Sequence, residues 1–279
     1  MSSMSFAENT SIVLVDCHVH YHGIFDVDTF FDAAVTNFRA AASGQGALEP
    51  SEHVLMLTES AGQDYFTAFR AAAGETQTER WRFTRTAEPV SLLAQRADGA
   101  RVTLVAGRQI ATSGGLEVLA LGTNRHYPDD GDFLDTIGQV LADGSLAVVP
   151  WGFGKWWFRR GRQVAQAIRA LHGRVFFLGD NGGRLRYGSP PNLFEEARGL
   201  GVWTLPGSDP LPLRNHQTRA GSYGCILNVP LDPSRPAASL AEQLATASDQ
   251  PPTYGQLQSL AGFCGAQVAM QVRKHLELG

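Results

Sequence analysis

Two histidines two residues apart, with an aspartate two residues before them, close an apolar run near the start of the chain. They are Asp16, His18 and His20, in the segment SIVLVDCHVHYH from Ser11 to His22. Ile12, Val13, Leu14 and Val15 form a continuous aliphatic run, the pattern of a strand covered on both faces. Strand side chains alternate, so Asp16, His18 and His20 share one face while Cys17 and Val19 take the other. Two imidazoles at that spacing can hold one divalent cation, with a neighbouring carboxylate ligating it or orienting the rings. Surface histidines opening a loop are the bland alternative. Three histidines (His22 included) and an aspartate crowded at one strand end weigh against it.

Other polar residues stand where further apolar runs give out: Glu59, Gln109, Trp151 to Lys155, Asp180 with Asn181, and Asp209. The segment WGFGKWWFRRGR, Trp151 to Arg162, sets Lys155, Arg159, Arg160 and Arg162 beside Trp156 and Trp157 at an expected helix start. That fits an anion site or, equally, a solvated helix start with its tryptophans packed inward. Arg214, His216 and Arg219 follow Asp209 and fit either the same cleft or a solvated loop. Asp180-Asn181-Gly182-Gly183 reads as a substrate contact or as turn chemistry. His53 precedes an apolar strand and reads as structural.

Such residues act together only if a scaffold brings them to one place. Phe30, Phe31, Ala34, Val35 and Phe38 recur at helical spacing and predict a helix over 26–42, followed by a strand over 53–58 and a helix over 64–73. From Trp81 to Gly122 the rhythm changes to strand-like runs (WRFTRT, VSLLAQ, RVTLVAGRQI, LEVLALG), with Asp98-Gly99 as a turn, so an antiparallel excursion is expected. Helices over 131–142, 163–171, 192–198 and 237–247 then alternate with strands over 146–150, 175–178, 202–205 and 225–229. A last amphipathic helix over 254–278 is expected to bury Leu257, Leu260, Ala261, Val268, Val272 and Leu276. The alternation predicts one α/β domain spanning the chain, a TIM-like barrel with its core over about 11–229 and helices over 237–278 packed outside. In a barrel the strand ends named above converge on one face, where active sites sit.

Composition narrows the classes. The 279 residues are 43% hydrophobic and 18% charged, ordinary for a globular chain. A formal net charge of -4 offers no general attraction to nucleic acid or anionic membrane. Cys17, Cys225 and Cys264 are scattered and odd in number, which argues for a reducing, cytoplasmic setting and against a disulfide framework. MSSMSFAENT lacks a basic start and an apolar core, so no signal peptide is expected, nor is any apolar run long enough to span a bilayer.

The motif VDCHVHYH resembles the opening D-x-H-x-H of the PHP (polymerase and histidinol phosphatase) family of metal-dependent phosphoesterases, and later segments resemble that family in order. LTES, Leu57 to Ser60, resembles a strand ending in Thr-Asp/Glu-His. VAGRQIATSGGLEVLALG, Val105 to Gly122, resembles the family's G-x-E strand and the strand after it. VVPWGFG, Val148 to Gly154, stands where the family has His-Pro, and GSD, Gly207 to Asp209, resembles the closing Gly-Ser-Asp-x-His. The resemblance covers roughly Ile12 to Gly224 and implies an irregular (β/α)7 barrel with several metal ions on its C-terminal face.

The chain departs from that pattern at Ser60, Gln109, Trp151 and Leu211, each standing where the family has a histidine or glutamate. The matching positions imply a reduced set, His18, His20 and Asp209 with Gln109 as a neutral oxygen ligand, holding one divalent metal ion. Two imidazoles and one carboxylate suit Zn²⁺, Mn²⁺ or Fe²⁺. The expected activity is hydrolysis of a phosphoester in a small anionic molecule. Asp209 or Asp16 would orient or deprotonate water, and Lys155, with Arg159, Arg184, Arg214 and His216, would hold the anion. Two alternatives stand beside it. An amidohydrolase also opens on H-x-H and closes on aspartate, although no bridging lysine or later histidine pair is evident. A pseudoenzyme would bind a ligand in the same cleft without a metal, which the four departures favour. No motif speaks to substrate, pathway or oligomeric state.

Overall fold

The computed structural model describes residues 12–44, 51–74, 78–187 and 190–277, the last five by backbone alone. The N-terminal segment read for a signal peptide, Ser11 and the side chain of Leu276 lie outside the described residues. In chain order the first elements are β1 (Val13–Val19), α1 (Val27–Gly44), β2 (Glu52–Leu57), α2 (Tyr65–Ala71), β3 (Trp81–Arg85), β4 (Ser91–Arg96), β5 (Arg101–Val105), β6 (Gly107–Ala111) and β7 (Glu117–Leu121). They are followed by α3 (Phe133–Ala142), β8 (Leu146–Pro150), α4 (Arg159–Leu171), β9 (Phe176–Asn181), α5 (Asn192–Gly199), β10 (Thr204–Gly207) and a short 3-10 turn at Arg214–Thr218. β11 (Tyr223–Leu227), α6 (Pro236–Thr246), β12 (Thr253–Gly255) and α7 (Leu260–Glu277) complete the chain.

The expected (β/α)7 barrel is not what forms. The strands make two mixed sheets, a seven-stranded one in the order β12-β11-β1-β2-β5-β4-β3 and a five-stranded one in the order β10-β9-β8-β7-β6. Parallel pairing is confined to β1–β2–β5 in the first and β8–β9–β10 in the second. The physical reason lies in RVTLVAGRQI, which reads as one strand and is two, β5 in the first sheet and β6 in the second. Gly107 stands at the crossing. A Cβ there would lie 2.3 Å from the Leu57 carbonyl oxygen and 2.9 Å from that of Ala120, so only glycine lets the chain pass.

The two sheets face each other between helices. α1 and α2 bury Phe30, Phe31, Phe38 and Phe66 against Leu14, Leu55, Phe83 and Leu104 on the outer face of the first sheet. α3, α4 and α5 cover the second with Phe133, Ile137, Val164, Ile168 and Ala197. Val13, Val15, Val54, Met56, Leu119, Val148, Phe177 and Leu205 fill the space between the sheets. Both faces of β1 and β2 are therefore buried, which is why Val13 to Val15 and Val54 to Leu57 are apolar without interruption.

α6 packs Ala237, Leu240 and Leu244 into that inter-sheet core. Pro236 opens the helix, and the buried Glu88 carboxylate accepts from Ala237 N at 2.6 Å, Ala238 N at 3.1 Å and Ser91 Oγ at 2.6 Å. Glu88→Ala should therefore cost about 1–3 kcal/mol, because it removes a helix cap and strands buried donors. Glu88→Gln should restore part of the loss in urea unfolding; equal stability of all three proteins would refute the capping role.

The C-terminal helix also departs from expectation. Tyr254 belongs to β12, which pairs with β11, so the helix begins only at Leu260. Backbone bonds from Gln258 N to Arg184 O (2.9 Å) and from Arg186 N to Gln258 O (2.8 Å) fix its approach. Phe263, Ala266 and Met270 are half-buried, while Leu260, Val268 and Val272, expected inside, are exposed.

Candidate metal centre

Three separate elements deliver the site. β1 brings His18 at its end and His20 just beyond, and its register against β2 slips between Asp16 and Val19. Asp209 follows β10, and its backbone N–H donates to the His18 carbonyl at 2.9 Å. That approach requires Gly207, where a Cβ would lie 2.3 Å from His18 N. Asp209 itself holds a left-handed backbone, φ +46°. Gln109 arrives on β6, just past the sheet crossing, with its N–H on the Glu59 carbonyl at 2.9 Å.

Their donor atoms converge. His18 Nε2 lies 3.1 Å from His20 Nε2 and 3.2 Å from Gln109 Oε1. Asp209 Oδ1 lies 3.7 Å from His18 Nε2 and 3.6 Å from His20 Nε2. Ligand atoms about 2.0–2.1 Å from a tetrahedral cation sit about 3.3 Å from one another, and these separations bracket that value. Among the described residues, His18, His20 and Asp209 form the one group of three or more histidine, cysteine and carboxylate side chains with this proximity.

The electrostatics suit a cation. Burial lowers the His20 pKa to about 3, helped by His18 and opposed by Asp209, so the ring is neutral at pH 7. For Asp209 burial pushes upward, but His18, His20, the Asn181 amide and Lys155 outweigh it and hold the carboxyl at about 2. Neutral imidazole and ionised carboxylate are the forms that ligate metal. The Asn181 amide donates to Asp209 Oδ2, and Asn181 Oδ1 in turn accepts from Gly183 N at 2.6 Å. Asn181, readable in the sequence either as a substrate contact or as turn chemistry, thus orients the Asp209 carboxylate.

The remaining expected site residues divide. Asp16 shares the strand but not the site. Its buried carboxylate accepts backbone N–H groups of Ser208 (2.8 Å), Gly221 (2.8 Å) and His18 (3.3 Å), and burial raises its pKa to about 7 against those bonds. It ties the end of β10 and the β11 approach to β1, and its oxygens are already engaged. Lys155 lines the cleft beside His18 and Asp209, a cavity of about 260 Å³, but ion-pairs with Glu117. Arg159 is exposed at the start of α4 and Arg214 is exposed on the 3-10 turn, both outside the cleft wall. Arg184 is held by Asp180 through two bonds, 2.8 and 2.9 Å. His216 is buried, accepts from Leu211 N at 3.0 Å, and burial lowers its pKa to about 4.

Arg219, the third member of that basic group, is the one that faces the site. It lines the cleft with His18 and Asp209, and its guanidinium has no hydrogen-bond or ion-pair partner among the described residues. Burial draws its pKa down, opposed by Asp209 and Asp16.

A second cation position is closed by side chains. Glu59 follows β2 in the LTES segment, where Ser60 stands in place of a histidine, and its Oε1 accepts from Phe66 N at 2.8 Å and its Oε2 from Arg108 Nη1 at 3.1 Å. Arg108 also donates to Gln63 O (2.7 Å), Asp64 (2.8 Å) and Asn124 (2.8 Å). A guanidinium therefore occupies the ground beside Glu59.

No protein-family model matches the sequence, and no curated protein matches it. Among solved structures, the fold is similar to that of PsfC from Pseudomonas syringae PB-5123, with a TM-score of 0.53 and 14% identity over 95% of this chain and 99% of that one. The likeness is one of fold. Among the described residues, no helix is long and apolar enough to cross a membrane.

Proposed function

We propose that this chain is a metal-dependent hydrolase acting on a small phosphorylated molecule, with one divalent cation held by His18, His20, Asp209 and Gln109. The observation that carries the reading is the convergence of donors from three elements: His18, His20 and Asp209 atoms lie 3.1 to 3.7 Å apart, and Gln109 Oε1 lies 3.2 Å from His18 Nε2. Such a cation supplies Lewis-acid polarisation and a nucleophile at neutral pH. Asn181 fixes the Asp209 carboxylate, and Arg219 offers the phosphoryl oxygens a guanidinium that has no partner among the described residues. Lys155, balanced by Glu117, adds hydrogen bonding rather than net charge. Three unpaired cysteines, two buried with thiols 3.8 Å apart, fit a cytoplasmic setting. A ligand-binding pseudoenzyme is the second reading, favoured by the Arg108 side chain that stands beside Glu59.

The test is turnover of p-nitrophenyl phosphate with added Zn²⁺ or Mn²⁺. Arg219→Leu should raise KM by about tenfold or more with metal content unchanged, as expected when a charged hydrogen bond to substrate is lost. Gln109→Glu should tighten the metal, since it adds a negative charge to the cation's surroundings. Absence of turnover of phosphomonoesters or diesters, with or without bound metal, would assign the ligand-binding pseudoenzyme; no metal bound at any concentration together with no phosphate bound in the cleft would overturn both.

A further inference from the structure

We infer that the aromatic pocket beside the cation cleft receives a flat, uncharged ring carried by the substrate, so that the molecule processed is a phosphorylated aromatic or heteroaromatic compound. The inference rests on the proposed reading for the phosphoryl end only. The pocket has a volume of about 530 Å³, and its walls include Trp151, Phe153, Trp156, Trp157, Tyr187 and Phe263. That volume falls in the usual range of small-molecule sites. Trp151, Phe153 and Phe263 also line the cleft that holds His18 and Asp209, so one molecule can occupy both spaces.

The aromatic walls are half-open to solvent, an arrangement that marks binding surfaces. Phe153 is 54% exposed, Trp157 53% and Tyr187 76%. Phe153 meets Trp157 and Phe263 edge-on, with ring centroids 5.3 Å apart in each case and interplanar angles of 66° and 74°. These contacts brace the rings as separate walls instead of one collapsed stack.

Charge and polarity select the occupant. Among the described residues Arg184 is the one charged residue in the wall, and its guanidinium is committed to Asp180. Asn192 is the one neutral amide there. A sugar would leave most of its hydroxyls without partners against such walls, while a flat ring gains by stacking on them. The phosphoryl end is then left to Arg219 and the cation ligands next door.

The experiment is a calorimetric comparison of 1-naphthyl phosphate, n-butyl phosphate and 1-naphthol on the full chain, its Trp157→Ala and Tyr187→Ala variants, and His20→Ala. Both aromatic side chains are largely exposed, so their truncation should leave the thermal midpoint in place. Naphthyl phosphate should bind about tenfold or more tighter than butyl phosphate, in line with the worth of one stacked ring. Trp157→Ala should erase about five- to tenfold of that advantage without weakening butyl phosphate. Naphthol should bind His20→Ala as well as it binds the unmodified chain. Equal affinities for the two phosphates, or naphthyl binding indifferent to both aromatic truncations, would overturn the inference. Naphthol binding lost in Trp157→Ala, with no phosphate bound by any protein, would instead sink the phosphoryl reading and leave the ring site standing.

Discussion

His20→Ala should empty the cation site and stop turnover together. Structural zinc sites are worth about 10–16 kcal/mol in all, so one of four ligands accounts for roughly 3 kcal/mol, a loss of about two orders of magnitude in affinity. The loss should be visible without any assay of catalysis. A ligand present at 100 times its Kd stabilises a fold by about 2.7 kcal/mol, and for a chain near this size each kcal/mol moves Tm by about 2–4 °C. Added Zn²⁺ should therefore raise the Tm of the unmodified chain by about 5–10 °C and leave His20→Ala unmoved. The metal-free variant should fold with a modest cavity cost, since the Nδ1 of the lost ring has no partner among the described residues. A His20→Ala protein that still binds one metal with unchanged affinity would disprove the ligand set.

Arg108→Met should be the most damaging single change in the scaffold, at about 3–5 kcal/mol, because it strands a carboxylate in the interior. Arg108 is 5% and Glu59 2% exposed at their side chains. Burial already raises the Glu59 pKa, opposed by Phe66 N–H and by Arg108. Without the guanidinium it rises further, so the folded variant holds a proton that the unfolded chain releases. Its stability is then retained below the unfolded value of about 4.3 and falls as pH rises through the higher folded value. Adding Glu59→Gln keeps an acceptor for Phe66 N–H and removes the stranded charge. The double variant should recover much of the loss and flatten the pH dependence. Urea midpoints between pH 4 and 8 decide it, and a flat profile for Arg108→Met alone would count against a buried ionised pair.

The part of this site that periodicity can reveal is the part carried by β1. Five consecutive aliphatic and acidic positions, then histidines at i and i+2, predict a buried strand ending in ligands, and His18 and His20 stand where that pattern puts them. Alternation alone would also place Asp16 among them. The slip in register after Asp16, and three backbone N–H groups that claim its oxygens, depend on how β10 and β11 arrive, which no local pattern encodes. The same limit explains the sheets. RVTLVAGRQI has the composition of one strand, and the steric demand that splits it at Gly107 comes from Leu57 and Ala120, far away in sequence. On α7 two apolar stripes compete, and helical period cannot choose between them. The backbone tie at Gln258 does, turning Phe263 inward in place of Val268. Composition cannot rank Arg219 above Arg214 and His216, because what distinguishes it is its place in the cleft wall and a guanidinium without a partner among the described residues.

The left-handed backbone at Asp209 sets two selection pressures against each other. A non-glycine residue at φ +46° carries a conformational cost, on the order of 1 kcal/mol even for the aspartate that tolerates it best. Glycine at 209 would relax the loop and remove the carboxylate that the proposed cation site needs in the same step. A library screened only for survival at high temperature should therefore enrich glycine or asparagine at this position, and a screen for metal-dependent chemistry should purge both. Heat resistance gained there would be a record of activity given up.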